Sequence, residues 1–172
     1  NRGLAAGSLT LLIVFAVMFG IFLVLTQFMQ AVLGYSALSA AASLLPMMVL
    51  MMPLSATAPM IAKRIGTRTV VLAGMVLFGL GLALLATMVS ASGGYWSVLP
   101  GLLVVASGIG LLMTPSTMTI TESLPHDKQG VASALNDTVR EVGGAIGIAM
   151  LGSLVSAGYR SSGSTATGDL AP

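Results

Sequence analysis

The sequence predicts an all-α integral membrane protein with five transmembrane helices. The first reason is composition, because 56% of the 172 residues are hydrophobic and only 7% are charged, whereas soluble domains carry about 25% charged residues. The second reason is hydropathy: its mean is +1.00, and five apolar stretches of membrane-spanning length alternate with short polar segments. The third is that the basic residues concentrate in alternate polar segments, which is typical of multi-pass proteins.

The composition also argues against several classes of function. No basic patch of the kind that binds nucleic acid is present, so we expect no nucleic-acid partner. The chain has no cysteine and a single histidine, His126, which stands in a polar loop. We therefore expect no metal site, no cofactor and no enzymatic activity, because the sequence offers no nucleophile–base pair or metal cluster. The chain starts at Asn1 without a signal-peptide pattern, so we expect it to begin inside a larger protein.

The first span is predicted at about residues 9–30 and is free of charge and proline. It ends with Gln27 and Gln30 on one side of the helix. These two glutamines are candidate substrate-binding residues, because amides can hydrogen-bond a solute. The alternative is that they bond to neighbouring helices or to lipid headgroups.

The second and third spans are predicted at about residues 37–61 and 69–89, on either side of the densest basic cluster. Three prolines punctuate the second span and are expected to kink it. Short loops rich in Lys and Arg remain cytoplasmic, so the loop at 62–68 is expected to fix the topology. Its basic residues are Lys63, Arg64 and Arg68.

The fourth span is predicted at about residues 96–119 and the fifth at about 132–157, followed by a polar, flexible tail at 158–172. If the spans alternate in direction, the loops at 62–68 and 122–129 are both cytoplasmic and the tail is extracytoplasmic. All basic residues except one then lie on the cytoplasmic side, in agreement with the positive-inside rule. The lipid bilayer is therefore the expected surrounding of the chain.

The fifth span carries charged residues within its own length. Its purely apolar part is shorter than the roughly 20 residues that cross a bilayer, so the span must reach back through Glu141, Arg140 and Asp137. These three share a helical face, and we expect Arg140 to pair with Asp137 or Glu141, or with an adjacent helix. Gly143 and Gly147 form a small-xxx-small pattern that favours close contact with another helix. The alternative interpretation places these charges in the headgroup region.

The segment PMIAKRIGTR, residues 59–68, resembles the degenerate second copy of the signature loop of the major facilitator superfamily. The fuller form of that loop reads G-x-x-x-D-R-x-G-R-K, and Arg64, Gly66 and Arg68 match it. Lys63 stands where the family has an acidic residue. The resemblance implies that the matching glycine and arginines form a tight turn with cytoplasmic gate contacts.

The segment GVASALNDTVREVGGAIGIAMLG, residues 130–152, resembles the penultimate-helix region of the bacterial fourteen-helix drug:proton antiporters. The resemblance implies that the five spans are the ninth to thirteenth helices, a partial C-terminal bundle that needs the missing N-terminal half of the same transporter. It also implies proton-coupled efflux of drugs or amphipathic compounds across the bacterial plasma membrane, with small-molecule substrate and protons as partners. The matching residues are Asn136, Thr138, Arg140, Gly143, Gly144 and Gly147.

The hypothesis that follows is a coupling network in the fifth span. Arg140, Asp137 and Glu141 would form contacts in one state of the transporter and rearrange in another, while Gly143 and Gly147 keep the helices close. One alternative is a major-facilitator transporter of another solute, such as a lipid, sugar or siderophore. A second is a membrane scaffold that does not transport.

Overall fold

The structure is a computed structural model. It describes the backbone of residues 2–90, 92–122 and 124–168, and the side chains of 4–90, 92–122, 124–125 and 127–158.

All regular elements in the described backbone are helical, and five helical spans are long and apolar enough to cross a membrane. The predicted all-α class with five transmembrane helices is confirmed. A π-helical turn continues α1, and a short 3-10 turn precedes α6. The elements are α1 (Arg2–Gln27), the π-turn (Phe28–Val32), α2 (Ala37–Ala42), α3 (Leu45–Ile65), α4 (Thr67–Met88), α5 (Gly94–Glu122), the 3-10 turn (His126–Lys128) and α6 (Gln129–Gly168).

The second span consists of two helices, α2 and α3, with a break at Ser43 and Leu44. Pro46 lies at the start of α3, where its missing N–H removes no helical hydrogen bond. Pro53 and Pro59 lie inside α3, which continues through both. The chain therefore breaks ahead of the first proline and not at the two interior ones.

The helices run beyond the apolar stretches from which they were predicted. α1 begins at Arg2 and α6 continues to Gly168, through part of the tail that was expected to be flexible. The backbone of residues 158–168 is helical, and the flexibility of the tail stays a prediction. Adding one residue to an existing helix gains a hydrogen bond without a new nucleation cost, so small polar residues can extend it. Residues 169–172 lie outside the described part of the chain.

α5 is the centre of the bundle. Half of its most hydrophobic window is buried by protein, compared with 17–28% for the other four spans. It packs antiparallel to α4, where a Cβ added at Gly81 would lie 2.5 Å from the Val105 nitrogen. It packs parallel to α3, where the hydroxyl oxygens of Ser55 and Thr114 are 2.7 Å apart. α5 therefore joins α3 and α4 to the rest of the bundle.

The outward faces of the helices are apolar. Leu38, Val49, Met52 and Leu72 each expose half or more of their surface. Contiguous exposure of large apolar side chains is typical of a surface that contacts another apolar medium. The exposed faces therefore agree with a multi-pass membrane protein.

The link at Gly66 and the link between α5 and α6 lie at the same end of the bundle, because the spans alternate in direction. This end carries Lys63, Arg64 and Arg68, and we call it the basic end. The π-turn and the link between α4 and α5 lie at the opposite end.

Candidate functional site

The α1–α6 contact brings two backbones close together. The helices run parallel, since Leu12 faces Gly143 and Ala16 faces Gly147. A Cβ added at Gly143 would lie 2.5 Å from the Leu12 carbonyl oxygen, and one at Gly147 would overlap the Ala16 carbonyl. Gly20 continues the contact, with 2.9 Å between an added Cβ and the Gly147 oxygen. Absence of side chains on the α6 glycines is what permits this approach.

Arg140 lies at this contact and stacks on α1. Its guanidinium carbon is 4.6 Å from the centre of the Phe15 ring, within the range of a cation–π interaction. Phe15 is 4% exposed, and Arg140 is half-buried. At about 1.5 Å per residue, Arg140 lies roughly 16 Å along α6 from Gln129. The guanidinium is therefore inside the span and not at the helix end.

The two neighbouring carboxylates face outward. Asp137 and Glu141 are exposed, and no ion pair joins either of them to Arg140 among the side chains that the structure describes. The expected pairing of Arg140 with Asp137 or Glu141 is therefore not formed in this structure. The guanidinium is turned towards α1 and onto Phe15, whereas the two carboxylates remain at the surface of α6.

Three buried side-chain oxygens have no hydrogen-bond partner in the described part of the chain. They are Ser8 Oγ on α1, Ser116 Oγ on α5 and Asn136 Oδ1 on α6. Each lies six or seven residues from the basic end of its helix, or about 10 Å along it. Buried polar groups are nearly always hydrogen-bonded. These oxygens therefore mark an unusual polar layer between the basic end and the stack of Arg140 on Phe15.

The link between α3 and α4 is the tight turn of the basic end. Gly66 has a φ of +92°, which is strained for residues with a side chain, and it is the only residue between the two helices. Arg64 lies in the last turn of α3 and Arg68 in the first turn of α4. Both are exposed, so they can contact groups outside the five helices.

The two glutamines lie far from Arg140. Gln27 ends α1 and Gln30 lies in the π-turn, where the Leu33 N–H donates to the Phe28 carbonyl at 3.2 Å. Both glutamines are exposed. π-Turns occur often at functional sites, but this one belongs to the opposite end of the bundle. The glutamines and Arg140 do not form one site here.

Sequence reasoning missed Phe15, Ser8 and Ser116. One signal could have found the α1 surface, because Ala16 and Gly20 form a small-xxx-small pattern that complements the glycines of α6. Recognising the aromatic partner of Arg140 required knowing that α1 and α6 are parallel neighbours. No group of His, Asp and Glu among the described residues could hold a metal ion.

Comparisons with known proteins identify the family of the chain and several of its relatives. The profile of the Major Facilitator Superfamily matches residues 2–148. The chain is 34% identical over 148 residues to "Multidrug resistance protein Stp" of Mycobacterium tuberculosis, covering 86% of this chain and 27% of the relative. It is 32% identical to "Multidrug efflux pump LfrA" of Mycolicibacterium smegmatis, covering 83% and 28%. It is 31% identical to "Cephamycin export protein CmcT" of Amycolatopsis lactamdurans, covering 95% and 34%. The chain thus spans about a third or less of these relatives.

Proposed function

The chain belongs to the major facilitator superfamily, and on that premise we propose that it is part of the C-terminal bundle of a bacterial proton-coupled multidrug efflux transporter. Relatives named for multidrug resistance, multidrug efflux and cephamycin export support the class of substrate. In alternating access, two bundles rock about a central site, so the second bundle is the principal partner. Protons and small amphipathic compounds would be the transported species, and the role is transport without catalysis.

The observation that carries the proposal is the cation held inside a helix–helix contact. Arg140 is stacked on Phe15 within a membrane-length span. Ionisable groups inside membrane spans are costly and mark substrate or ion pathways. A scaffold has no need of such a residue, because apolar packing alone would hold α1 against α6. The half-buried arginine therefore favours a transporter over a membrane scaffold.

The geometry also provides a way for Arg140 to change partners. Asp137 and Glu141 are exposed on the same helix, three residues before and one residue after it. In one state of the transporter the guanidinium would stack on Phe15, and in another it would pair with one of these carboxylates. Gly143 and Gly147 carry no side chain that would lock α6 against α1 during such a shift.

Gate and substrate contacts belong to the same proposal. Arg64, Gly66 and Arg68 would form the turn of the basic end and contact the second bundle when the transporter closes on that side. Gln27 and Gln30 would contact substrate at the opposite end. Their exposure and the π-turn at Gln30 support this assignment.

A segment exchange tests the function. The part of Stp that matches this chain would be replaced by the corresponding residues of this chain, and dye efflux would be measured in cells that lack their own pumps. We expect the chimera to extrude a cationic dye and to stop when the proton gradient is collapsed. The 172-residue chain alone, in liposomes with a pH gradient, should not move the dye. A correctly inserted chimera that moves no dye would contradict the proposal.

The orientation is tested by thiol labelling. We propose that the basic end is cytoplasmic, since the positive-inside rule retains basic loops there. The chain has no cysteine, so Thr67→Cys and Ser92→Cys report separately on the two ends. An impermeant thiol reagent should label Ser92→Cys and spare Thr67→Cys in intact cells. The reverse pattern would overturn the topology.

A further inference from the structure

A side chain from another helix bonds to the backbone at the break in the second span. Tyr95, in the first turn of α5, donates its hydroxyl hydrogen to the Ser43 carbonyl oxygen at 2.8 Å. Ser43 is the C-cap residue of α2, directly before the start of α3 is reached. The break is therefore not left to the backbone alone, because α5 supplies a donor to it.

Pro46 accounts for the break. In a helix that continued through this point, the Ala42 carbonyl would need an N–H from Pro46, which has none, and the proline ring would clash with that carbonyl. The chain tightens instead, and the Leu44 N–H donates to the Ala41 carbonyl at 3.1 Å. Helical bonding resumes where the Met48 N–H donates to the Leu44 carbonyl at 3.4 Å. Backbone bonding across the break is therefore weaker than in a continuous helix.

The phenol of Tyr95 takes the place of a backbone donor. In a continuous helix the Ser43 carbonyl would accept from the Met47 N–H, four residues further on. Here α3 begins only at Leu45, and the Tyr95 hydroxyl donates to that carbonyl. Tyr95 and its neighbour Trp96 begin α5 at an end where such aromatic residues mark the membrane–water interface. Water can therefore replace the phenol when the two groups separate.

α2 is a short rigid helix between two points at which the chain can bend. Ser36 caps it, with its Oγ accepting from the Ser39 N–H at 3.2 Å. Ahead of it, Gly34 has a φ of +69°, and a Cβ added there would meet nothing within 4 Å. Within α2, which the structure describes in full, only Ala40 is buried, in the same apolar cluster as Met29 of the π-turn. Little apolar area therefore holds α2 against the π-turn.

The buried side of the break has room to repack. Leu44 and Met47 are the buried residues next to the break. Both border a small apolar cavity of about 20 Å³, which also touches Leu102 of α5. Side chains beside a void lack contacts on that side. A change of angle between α2 and α3 therefore costs fewer contacts here than in a filled core.

We propose that α2 is a hinged lid over the π-turn, which pivots at Gly34 and at the 43–44 break and is held closed by Tyr95. The hydrogen bond from Tyr95 to the Ser43 carbonyl is the latch. When it opens, water bonds to the carbonyl and α2 moves away from α5. Tyr95 is a positioning residue, because it acts on access to this end only through α2. The hinge needs no assumption about transport, whereas its use as a lid over substrate rests on the efflux proposal.

Distances between two spin labels test the latch in the purified 172-residue chain, held in lipid nanodiscs. The chain has no cysteine, so Leu38→Cys on α2 and Met88→Cys at the end of α4 give one label each; both side chains are exposed. We expect two distances, for the latched and the released lid. Tyr95→Phe loses one hydrogen bond between helices, so the ratio of released to latched should rise about threefold.

Two further variants make the measurement specific. Tyr35→Phe removes the hydroxyl of a second tyrosine packed on the same core and should leave the ratio unchanged. Pro46→Ala supplies the missing N–H, so α2 and α3 can join into one helix. It should leave a single distance, also in combination with Tyr95→Phe. An unchanged ratio in Tyr95→Phe, an equal rise in Tyr35→Phe, or two distances in Pro46→Ala would each overturn the proposal.

Dye efflux by the chimera with Stp separates the lid from the transport proposal. Tyr95→Phe should alter the rate of efflux, whereas Tyr35→Phe should not. If the distances shift as expected and Tyr95→Phe leaves efflux unchanged, the role as a lid is overturned. If the distances shift and the chimera itself moves no dye, the hinge and its latch stand and the efflux proposal fails.

Discussion

The two closest helix contacts of the bundle, α4–α5 and α1–α6, are both built on glycine but differ in what surrounds it. Along α4–α5, an added Cβ at Gly81 or Gly108 would lie 2.5 Å from a backbone nitrogen, and the neighbouring core is apolar, with Phe78, Leu85 and Val105 buried. Along α1–α6 the approach is at least as close, but the contact also holds a guanidinium. Close packing and charge are therefore separable features of this fold.

The difference indicates which contact is structural. Apolar packing needs no charged residue to hold two membrane helices together. The α4–α5 contact follows that rule. The α1–α6 contact carries Arg140, which costs free energy in an apolar medium. We infer that α3, α4 and α5 form the fixed part of the bundle and that α6 is the element whose position changes.

The largest loss of stability is expected from Gly147→Ala. Its new Cβ would overlap the Ala16 carbonyl, and a backbone atom cannot turn aside as a side chain can. We expect a loss of about 3 kcal/mol or more in the free energy of unfolding, the upper part of the range for overpacked sites. Unfolding of the chain in mixed micelles measures it. The control is Gly152→Ala on the same helix, whose Cβ would meet only Leu23 Cδ2 at 4.0 Å.

The second-largest loss of stability is expected from Gly81→Ala, in the fixed part of the bundle. The added Cβ would lie 2.5 Å from the Val105 nitrogen, and we expect a cost of about 1–3 kcal/mol. Gly79→Ala, two residues away, meets no atom within 4 Å. It should be neutral or should stabilise by up to about 1 kcal/mol, because alanine favours the helix. If Gly81→Ala lowered the free energy of unfolding more than Gly147→Ala does, α4–α5 and not α1–α6 would be the contact that tolerates an added side chain least.

Hydropathy was sufficient to predict the helical class and the five spans, because both follow from long apolar stretches separated by polar ones. The exact interruption at Ser43 and Leu44 was not predictable. No feature of the sequence favoured one of the three prolines as the site of a kink, and the chain in fact breaks ahead of the first of them. The helical continuation of α6 was missed for the same reason that helix ends are generally uncertain: hydropathy does not report on backbone hydrogen bonds.

The candidate site was predictable only in part. Helical spacing placed Arg140 on the same face as Gly143 and Gly147, but it gave three possible partners for the guanidinium: two on the same helix and one on another. The structure turns Arg140 to Phe15, which lies on the first helix of the chain and far from it in the sequence. Helical periodicity contains no information on such a contact, because it depends on which helices are neighbours.

Arg140 provides the test that separates function from stability. Arg140→Gln removes the cation from Phe15, and we expect the chain to lose about 0.5–2 kcal/mol of unfolding free energy. In the chimera with Stp, the same change should abolish dye efflux, while Arg140→Lys, which keeps the charge, should retain part of it. A double-mutant cycle with Phe15→Leu isolates the stacking energy from the loss of packing. Intact efflux in Arg140→Gln would favour the headgroup-anchor interpretation.

The smallest effect is expected at the hydrogen bond between Ser55 and Thr114, which joins α3 to α5 at 2.7 Å within the fixed part of the bundle. Hydrogen bonds between membrane helices contribute about 0.6 kcal/mol on average, so a double-mutant cycle of Ser55→Ala and Thr114→Val should give a coupling energy of about that size. Thr57 donates only within α3, and Thr57→Val should therefore show no coupling with Thr114→Val. Neither single variant should reduce dye efflux in the chimera, because we infer that this bond lies in the part of the bundle that does not move. If Ser55→Ala stopped efflux as Arg140→Gln should, α3 and α5 would also have to shift, and the division into a fixed and a moving part would be wrong.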